Sequence, residues 1–312
     1  MRNKRFINIC KRTQSELKGY LIQWLRNKKY KPIVGDGYIY AEGTVPILLT
    51  AHLDTVHKER VKEVWQTDNV ISSPQGIGGD DRCGVYIILQ ALKKSKARPS
   101  VLFCEDEEIG GVGSKKFAKS NHIKKLEKMK YIIELDRKGS NDAVYYNCDN
   151  VEFVDWITDQ TGYKEEYGSF SDISVLCPAC KVAGVNLSCG YYNAHTTKEM
   201  VNMSEMAHTT ETVVKLIEMD MKDIPAFEYI EAKYTYDRFS YGYDGWSRDW
   251  WKGTTNTTWS DGKMFYISWW DEQSDMILED YIDGNTLYEA LGKFFQVYPD
   301  VCFNNLIDYC EW

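Results

Sequence analysis

The chain has 312 residues, of which 43% are hydrophobic and 27% charged, and these values are ordinary for a globular protein with a substantial core. Its formal net charge of -8 argues against a nucleic-acid partner, because nucleic-acid-binding surfaces carry excess positive charge. No stretch approaches the roughly 20 apolar residues of a transmembrane helix, so we expect no membrane partner either.

The cysteines and the N-terminus bear on the cellular compartment. There are nine cysteines, an odd number, in a chain too large to depend on disulfides, which favours reduced thiols. The apolar patch from Phe6 to Cys10 is shorter than the core of a signal peptide, about 7 to 15 residues. We therefore expect a cytoplasmic protein. Cys177-Pro178-Ala179-Cys180 has no second cysteine pair, and we expect buried, unpaired thiols there.

From about residue 13 to 220, short apolar runs alternate with segments of helical period, which predicts a sheet flanked by helices. The predicted strands are Gly37 to Ala41, Pro46 to Ala51, Ser100 to Cys104, Lys130 to Leu135, Ala143 to Asn147 and Lys181 to Leu187. The predicted helices are Gln14 to Asn27, Cys83 to Lys94, Gly113 to Asn121, Val151 to Gln160 and Ser204 to Glu218.

The composition changes after Pro225, where Tyr and Trp alternate with Gly, Ser, Thr and Asn. We therefore predict two parts, a domain over residues 1–224 and an aromatic-rich region over residues 225–312. Strand-like alternation around Tyr234 to Tyr236 and from Met264 to Trp270 precedes a predicted helix from Thr286 to Gln296. Acidic residues lie among these aromatics, which favours a packing or peptide-facing surface over a nucleic-acid platform.

The first segment with chemical meaning ends an apolar run in His52-Leu53-Asp54. Residues two apart on a strand point the same way, so Asp54 is placed to accept the second ring N–H of His52. Metal-binding histidines usually need such a partner. A lone histidine at a strand end is more often structural, and the pattern gains meaning only with its neighbours.

Two acidic segments follow, and each has an ordinary structural interpretation. The glycine-rich stretch from Gly76 to Gly84 contains Asp80 and, taken alone, indicates a tight turn with an Asp helix cap. The acidic run from Glu105 to Glu108 follows a buried strand and, taken alone, indicates a solvated face. At the mouth of a sheet, however, one such carboxylate can bind metal while its neighbour transfers a proton.

Asp136 also ends an apolar strand, and His195 lies between the last predicted strand and a helix. Four of the five segments thus fall at or just beyond strand ends, where ligands of open α/β sheets gather. Two histidines and several carboxylates suit zinc, whose ligands are imidazole nitrogen and carboxylate oxygen. The three remaining histidines, His57, His122 and His208, are predicted to be surface or capping residues.

The order His-x-Asp, Gly-x-Asp-Asp-Arg-x-Gly, Asp-Glu-Glu-x-Gly, Asp and His resembles that of the co-catalytic di-zinc exopeptidases, which include peptidase T, carboxypeptidase G and the zinc aminopeptidases. The resemblance covers residues 45–205, and the stretches Ser171-Asp172 and Asn193 to Glu199 are most similar to the single-domain zinc aminopeptidases. It implies an α/β fold, a three-layer α/β/α zinc-exopeptidase domain with a mixed, mostly parallel central sheet. The small aromatic-rich C-terminal region, which we predict to be α+β from its own pattern, lies outside the resemblance.

The resemblance also implies two zinc ions, with cobalt or manganese as alternatives, and a role for each motif residue. The implied ligands are His52, Asp80, Glu108, Asp136 and His195. Asp80 would bridge the two ions, His52 and Asp136 would complete one site, and Glu108 and His195 the other. The implied catalytic residues are Glu107 as general base and Asp54 beside His52. Family members often have a cis peptide after the bridging residue, here between Asp80 and Asp81.

The substrate is less well defined by the sequence. An aspartate at position 136, rather than glutamate, resembles the aminopeptidase members and favours a free α-amine on the substrate. Arg137 and Lys138, which follow directly, instead suit a substrate carboxylate, and Arg137 has the better geometry because its guanidinium can form two parallel hydrogen bonds. Arg137, Tyr191 and Tyr192 are the candidate substrate contacts.

Three functions remain open at this stage. The first is an aminopeptidase that cleaves small peptides, and the second is a di-zinc amidase that acts on an N-acyl amino acid or another small metabolite. The third is a non-catalytic binding protein that uses the aromatic C-terminal surface. The oligomeric state is left open by the sequence.

Overall fold

The structure is a computed structural model that describes residues 3–232, 263–271, 276–284, 290–291, 293–294, 297–298 and 306–311. The chain divides into two compact units, Met1–Thr235 and Tyr236–Trp312. Among the described residues, no helix is both long and apolar enough to cross a membrane.

The first unit alternates helices and strands as predicted. Its helices are α1 (Lys4–Cys10), α2 (Gln14–Asn27), α3 (Gly79–Lys94), α4 (Val112–Lys119), α5 (Val151–Thr161), α6 (Asp172–Cys180) and α7 (Met203–Glu218). Its strands are β1 (Ile33–Gly35), β2 (Tyr38–Ala41), β3 (Val45–His52), β4 (Trp65–Gln66), β5 (Val70–Ser72), β6 (Pro99–Cys104), β7 (Tyr131–Arg137), β8 (Asp142–Val144), β9 (Lys164–Glu166), β10 (Gly184–Ser188), β11 (Tyr191–Tyr192) and β12 (Met200–Asn202).

Eight strands form one mixed sheet in the order β1-β2-β6-β3-β7-β10-β8-β9. The central strands β6, β3, β7 and β10 pair in parallel, whereas β1, β2 and β8 join their inner neighbours antiparallel. The carboxyl ends of the four parallel strands therefore lie along one edge of the sheet. A second, antiparallel sheet has the order β11-β12-β5-β4.

The sheet separates two hydrophobic layers, because successive side chains on a strand point to opposite faces. On β3, Leu49 and Ala51 belong to the larger core cluster and Leu48 to the other; Val101 and Leu102 of β6 divide in the same way. Helices α2, α3, α5 and α7 pack in the larger cluster, and α4 and α6 in the smaller one. This arrangement confirms the predicted three-layer α/β/α fold and its mixed central sheet.

The predicted elements differ from the observed ones mainly where elements are short. The strand predicted from Ala143 to Asn147 ends at Val144, and the one predicted from Lys181 begins only at Gly184. Helix α6, which carries the Cys177 to Cys180 motif, was not predicted, because Pro178 within it is a poor helix former. The sulfurs of both cysteines are buried and unpaired, as expected.

The chain after Pro225 does not leave the first unit at once. Phe227 is buried in the larger core cluster, and its carbonyl accepts a hydrogen bond from the Ala183 amide. Bridges Val182–Glu228 and Cys148–Glu231 continue this attachment. Residues 225–232 therefore pack with the first unit, whereas the sequence had placed them with the C-terminal region.

In the second unit, β13 (Lys263–Asp271) is the middle strand of a three-stranded sheet and pairs antiparallel with β14 (Met276–Gly284) and β15 (Leu306–Glu311). It coincides with the strand predicted from Met264 to Trp270. The predicted strand around Tyr234 to Tyr236 lies outside the described residues. Of the helix predicted from Thr286 to Gln296, positions 290, 291, 293 and 294 are described and are helical.

Candidate metal centre

The five predicted ligands meet at the carboxyl edge of the large sheet. Asp80 Oδ1 lies 3.0 Å from His52 Nε2, and Asp80 Oδ2 lies 3.3 Å from His195 Nε2. Asp136 Oδ1 approaches the same His52 nitrogen to 3.4 Å, and Glu108 Oε2 approaches the His195 nitrogen to 3.0 Å. The ligands thus form two groups that share one carboxylate, with one oxygen of Asp80 facing each imidazole.

The fold explains why these residues meet. His52 is the last residue of β3, and Asp136 lies near the end of β7, which pairs with β3 in parallel. Glu108 follows β6, the other parallel neighbour of β3. Asp80 lies at the start of α3. Ligands from adjacent strand ends converge because parallel strands end at the same edge.

Asp81 also lies close to His52. Two groups of three residues bring their ligand atoms within 4.8 Å of one another, and Asp81 belongs to one of them: His52 with Asp80 and Glu108, and His52 with Asp81 and Asp136. The oxygens of Asp81, however, accept hydrogen bonds from the backbone amides of His52, at 3.1 Å, and Gly84, at 2.8 Å. Asp81 is therefore engaged in joining β3 to the first turn of α3, which favours Asp80 as the shared ligand. The peptide between Asp80 and Asp81 is cis, as the resemblance implied.

Asp54 organises both the histidine and the acidic run. Its Oδ1 lies 3.1 Å from His52 Nδ1, which leaves Nε2 of that ring for the ligand cluster. The same carboxylate accepts the backbone amides of Glu107 and Glu108, each at 3.0 Å. One side chain therefore sets the orientation of a candidate ligand histidine and the position of the two glutamates.

The carboxylates of the acidic run from Glu105 to Glu108 have different surroundings. Glu105 forms an ion pair with Lys18, and Asp106 accepts a hydrogen bond of 2.9 Å from Gln14, so both are tied to α2. Burial raises the pKa of Glu107 to about 9, and the negative charge of Asp136 is among the further causes. Cations bound at the neighbouring side chains would lower this pKa, because a positive charge favours the carboxylate, and the carboxylate is the form that accepts a proton as a general base.

Three side chains outside the ligand cluster hold Asp136 in place. Ser171 Oγ donates to Asp136 Oδ2 at 2.8 Å, and the Tyr191 hydroxyl donates to Oδ1 at 3.4 Å. Asn186 accepts the Asp136 amide at 2.8 Å and donates to its carbonyl at 3.0 Å. Tyr191 is only 3% exposed, so the structure places this candidate substrate contact behind a ligand.

The other two candidate substrate contacts also have partners within the chain. Arg137 Nε lies 3.4 Å from Asp142 Oδ2, in a partly exposed ion pair. The Tyr192 hydroxyl donates to Glu205 Oε2 at 2.6 Å. Both side chains are therefore engaged with neighbouring elements.

One interaction at the site was missed by the sequence analysis. His57 was predicted to be a surface or capping residue, but its side chain is only 10% exposed and its Nε2 lies 2.8 Å from Glu199 Oε2. Glu199 is fully buried and also accepts the amides of Gly78, at 2.6 Å, and Asp80, at 3.0 Å. The pair spans 142 residues of sequence, so local sequence patterns carry no signal for it.

The residues present fit a pair of divalent cations. Three carboxylates and two imidazoles converge, and these are the oxygen and nitrogen donors that zinc takes. Glu108 Oε1 is buried without a hydrogen-bond partner, which a cation would satisfy. Burial and the negative charge of Asp80 raise the pKa of Asp136 to about 7, so the clustered carboxylates repel one another where a cation would stabilise them.

Comparison with known proteins gives one family match. Residues 39–166 match the sequence profile of Peptidase family M28, a span that includes His52, Asp80, Glu108 and Asp136. A search of curated proteins finds no match to the chain.

Several solved structures share the fold. The aminopeptidase PepT of Bacillus cereus is 17% identical, with a TM-score of 0.56, and the match covers 69% of this chain and 96% of that one. A tripeptidase of Staphylococcus aureus is 14% identical, with a TM-score of 0.56 and coverage of 68% and 96%. An aminopeptidase of the archaeon Desulfurococcus kamchatkensis is 14% identical, with a TM-score of 0.53 and coverage of 70% and 96%. At these identities the likeness establishes the fold.

Proposed function

We propose that this chain, a metallopeptidase of the co-catalytic zinc exopeptidase superfamily, is a di-zinc aminopeptidase that removes residues from the amino end of small peptides. The observation that carries the proposal is the placement of Asp80, whose two carboxylate oxygens face His52 on one side and His195 on the other. A carboxylate placed in this way suits two cations held side by side.

His52, Asp80 and Asp136 would hold one zinc ion, and Asp80, Glu108 and His195 the other. When bound, the ions supply Lewis-acid catalysis for the attack of water on a peptide carbonyl. Glu107 takes a proton from the attacking water and gives it to the leaving amine nitrogen, so that one water yields a carboxylic acid and an amine. Asp54 keeps Glu107 and the ring of His52 in place through the hydrogen bonds described above.

The preference for a substrate with a free amine is supported by the surroundings of Arg137. Its side chain is paired with Asp142, so the cation best suited to a substrate carboxylate already has a carboxylate partner. The aspartate at position 136 supports the same choice through its resemblance to the aminopeptidase members.

A set of three matched peptides tests the proposal on the zinc-reconstituted chain. One tripeptide has free ends, the second is N-acetylated and the third is amidated at its C-terminus. We expect release of the first residue from the free and the amidated peptides and none from the acetylated one. Activity confined to N-acyl substrates would make the chain an amidase. Two bound zinc ions without turnover of any amide would support a binding protein.

We further propose a cytoplasmic location and zinc as the working metal. Seven of the nine cysteines, those whose side chains the structure describes, are free and buried, which supports a reducing compartment. Fluorescent tagging of the chain in its host and metal analysis of the untagged protein purified from that host test these two points. An exported product, or cobalt or manganese in place of zinc, would overturn the corresponding point.

A further inference from the structure

A cavity of about 280 Å³ adjoins Asp54, between the start of α2 and the loop that follows β3. It is separate from the ligand cluster, since none of the five ligands lines it. The charged and amide side chains in its wall include Arg12, Gln14, Asp54, Lys58, Arg60 and Arg82. A cavity of this volume has room for a small molecule rather than for a few waters alone.

Three buried polar atoms in this wall have no hydrogen-bond partner. They are Arg12 Nε, Arg82 Nε and Gln14 Oε1. The Gln14 assignment is fixed by its other end, since Nε2 donates to Asp106 Oδ1 at 2.9 Å. Buried polar groups are nearly always bonded to protein, to ordered water or to a ligand. Two unpartnered donors on cations and one unpartnered acceptor, all on residues that line the same cavity, therefore point to a common ligand.

The two arginines have no ion-pair partner among the residues that the structure describes. Arg82 is only 4% exposed, and its terminal nitrogens donate to the carbonyls of Leu53 and Arg12, at 3.2 Å for the latter. Arg12 stacks its guanidinium over the Tyr20 ring at 4.6 Å. Neither contact neutralises a charge, and an unpaired buried cation is costly unless an anion accompanies it.

The carboxylates near the cavity are already engaged. Asp54 accepts the Glu107 and Glu108 amides, and Glu59 forms an exposed ion pair with Lys62. Arg60 is paired with Glu16, and this ion pair adds no net charge to the cavity wall. The net charge facing the cavity is therefore positive, because Arg12, Lys58 and Arg82 outnumber the carboxylate of Asp54.

We propose that this cavity binds a small oxyanion that also carries a hydrogen-bond donor. Its oxygens accept from the Nε atoms of Arg12 and Arg82, and its hydroxyl or ammonium group donates to Gln14 Oε1. A hydrogen phosphate and a hydroxycarboxylate share this chemistry, because each combines an anionic oxygen with an O–H donor. The site does not depend on the proposed peptidase activity, since it requires no metal and no turnover.

Calorimetric titration of the zinc-loaded chain with inorganic phosphate and with glycolate tests the proposal. The test variant is Arg12→Met, and the matched control is Arg26→Met, which removes an exposed arginine of α2. We expect at least one of the two anions to bind, and to bind about tenfold or more weakly to Arg12→Met, a difference of about 1.4 kcal/mol. Binding to the zinc ions is unaffected by Arg12→Met, so only the lost component is assigned to the cavity.

Each result of these titrations either supports or overturns the proposal. Phosphate alone or glycolate alone identifies which oxyanion the cavity takes, and either supports the proposal. Binding of neither anion, or equal affinity in the wild type, Arg12→Met and Arg26→Met, would overturn it. If circular dichroism shows that Arg12→Met does not fold, Arg12→Lys decides, because lysine keeps the charge but lacks Nε; unchanged affinity in that variant would also overturn the proposal.

Discussion

Glu199 Oε2 lies 2.8 Å from His57 Nε2, and this buried pair holds the loop that leads to Asp80. Gly76 packs so closely against the His57 ring that a Cβ added at position 76 would lie 2.2 Å from it. Glu199 then binds the amides of Gly78 and Asp80 with one oxygen each. The position of Asp80, the proposed shared ligand, thus depends on a carboxylate that lies outside the ligand cluster.

We predict that Glu199→Gln weakens zinc binding without unfolding the chain. The glutamine side chain has one acceptor oxygen, whereas the two carboxylate oxygens of Glu199 bind two backbone amides and the imidazole of His57. The loop that leads to Asp80 therefore loses a hydrogen bond. Substitutions behind metal ligands typically cost about 10- to 100-fold in metal affinity or activity. Competition with a chromophoric chelator measures the zinc affinity.

The control for this prediction is Glu218→Gln, the same substitution at an exposed position of α7. It should leave zinc affinity unchanged. Equal affinities for Glu199→Gln and the wild type would show that Glu199 serves packing alone. His57→Asn should give a smaller loss than Glu199→Gln, because Glu199 retains its two backbone amides.

A second prediction separates proton transfer from metal binding within the acidic run. Glu107→Gln should lower kcat by about 10²- to 10⁴-fold, the usual contribution of a general base, while two zinc ions remain bound. Glu105→Gln is the matched control two residues away, since Glu105 pairs with Lys18 and faces no ligand. Similar losses of kcat in both variants would argue against Glu107 as the base.

The convergence of the proposed ligands could be predicted from the sequence because most of them belong to local motifs at strand ends, whereas Asp80 lies at the start of α3. The apolar runs before His52 and before Glu108 predict buried parallel strands. The carboxyl ends of parallel strands lie at the same edge of a sheet. The fold and the metallopeptidase class followed from the same order of motifs, and both are confirmed.

The parts that the sequence did not predict depend on contacts distant in the chain. The role of His57 is set by Glu199, and neither residue lies in a pattern that indicates the other. The cavity at Arg12 and Arg82 forms where the start of α2 meets the loop after β3, again across many residues. Helix α6 was missed for a local reason, the proline within it. Long-range partners and weak helix formers thus account for the gaps.

A third prediction concerns the cysteine motif on α6. Burial raises the pKa of Cys180 to about 11 and that of Cys177 well above its usual value, so little thiolate exists at pH 8. In the native protein, iodoacetamide should alkylate both at least 100-fold more slowly than in the unfolded chain. Mass spectrometry of the peptide that contains them measures both rates. Rapid alkylation of the native form would indicate an accessible thiol pair.

The last prediction tests the shared role of Asp80 by counting metal. The wild-type chain should retain about two zinc ions after dialysis against a weak chelator. His195→Ala removes a ligand from one group only, so about one ion should remain with His52, Asp80 and Asp136. Asp80→Ala removes a ligand from both groups and should retain fewer ions than His195→Ala. Elemental analysis of the dialysed proteins gives the counts.

The comparison between the two variants distinguishes a shared ligand from an ordinary one. If Asp80 served a single ion, the two variants would each keep about one zinc, and Asp81 would be the next residue to test. Asp81→Asn provides that comparison, because its oxygens accept the His52 and Gly84 amides and its loss should lower stability more than zinc content. Thermal unfolding of the three variants beside their zinc counts therefore separates the carboxylate that joins the two metal sites from the neighbour that joins β3 to α3.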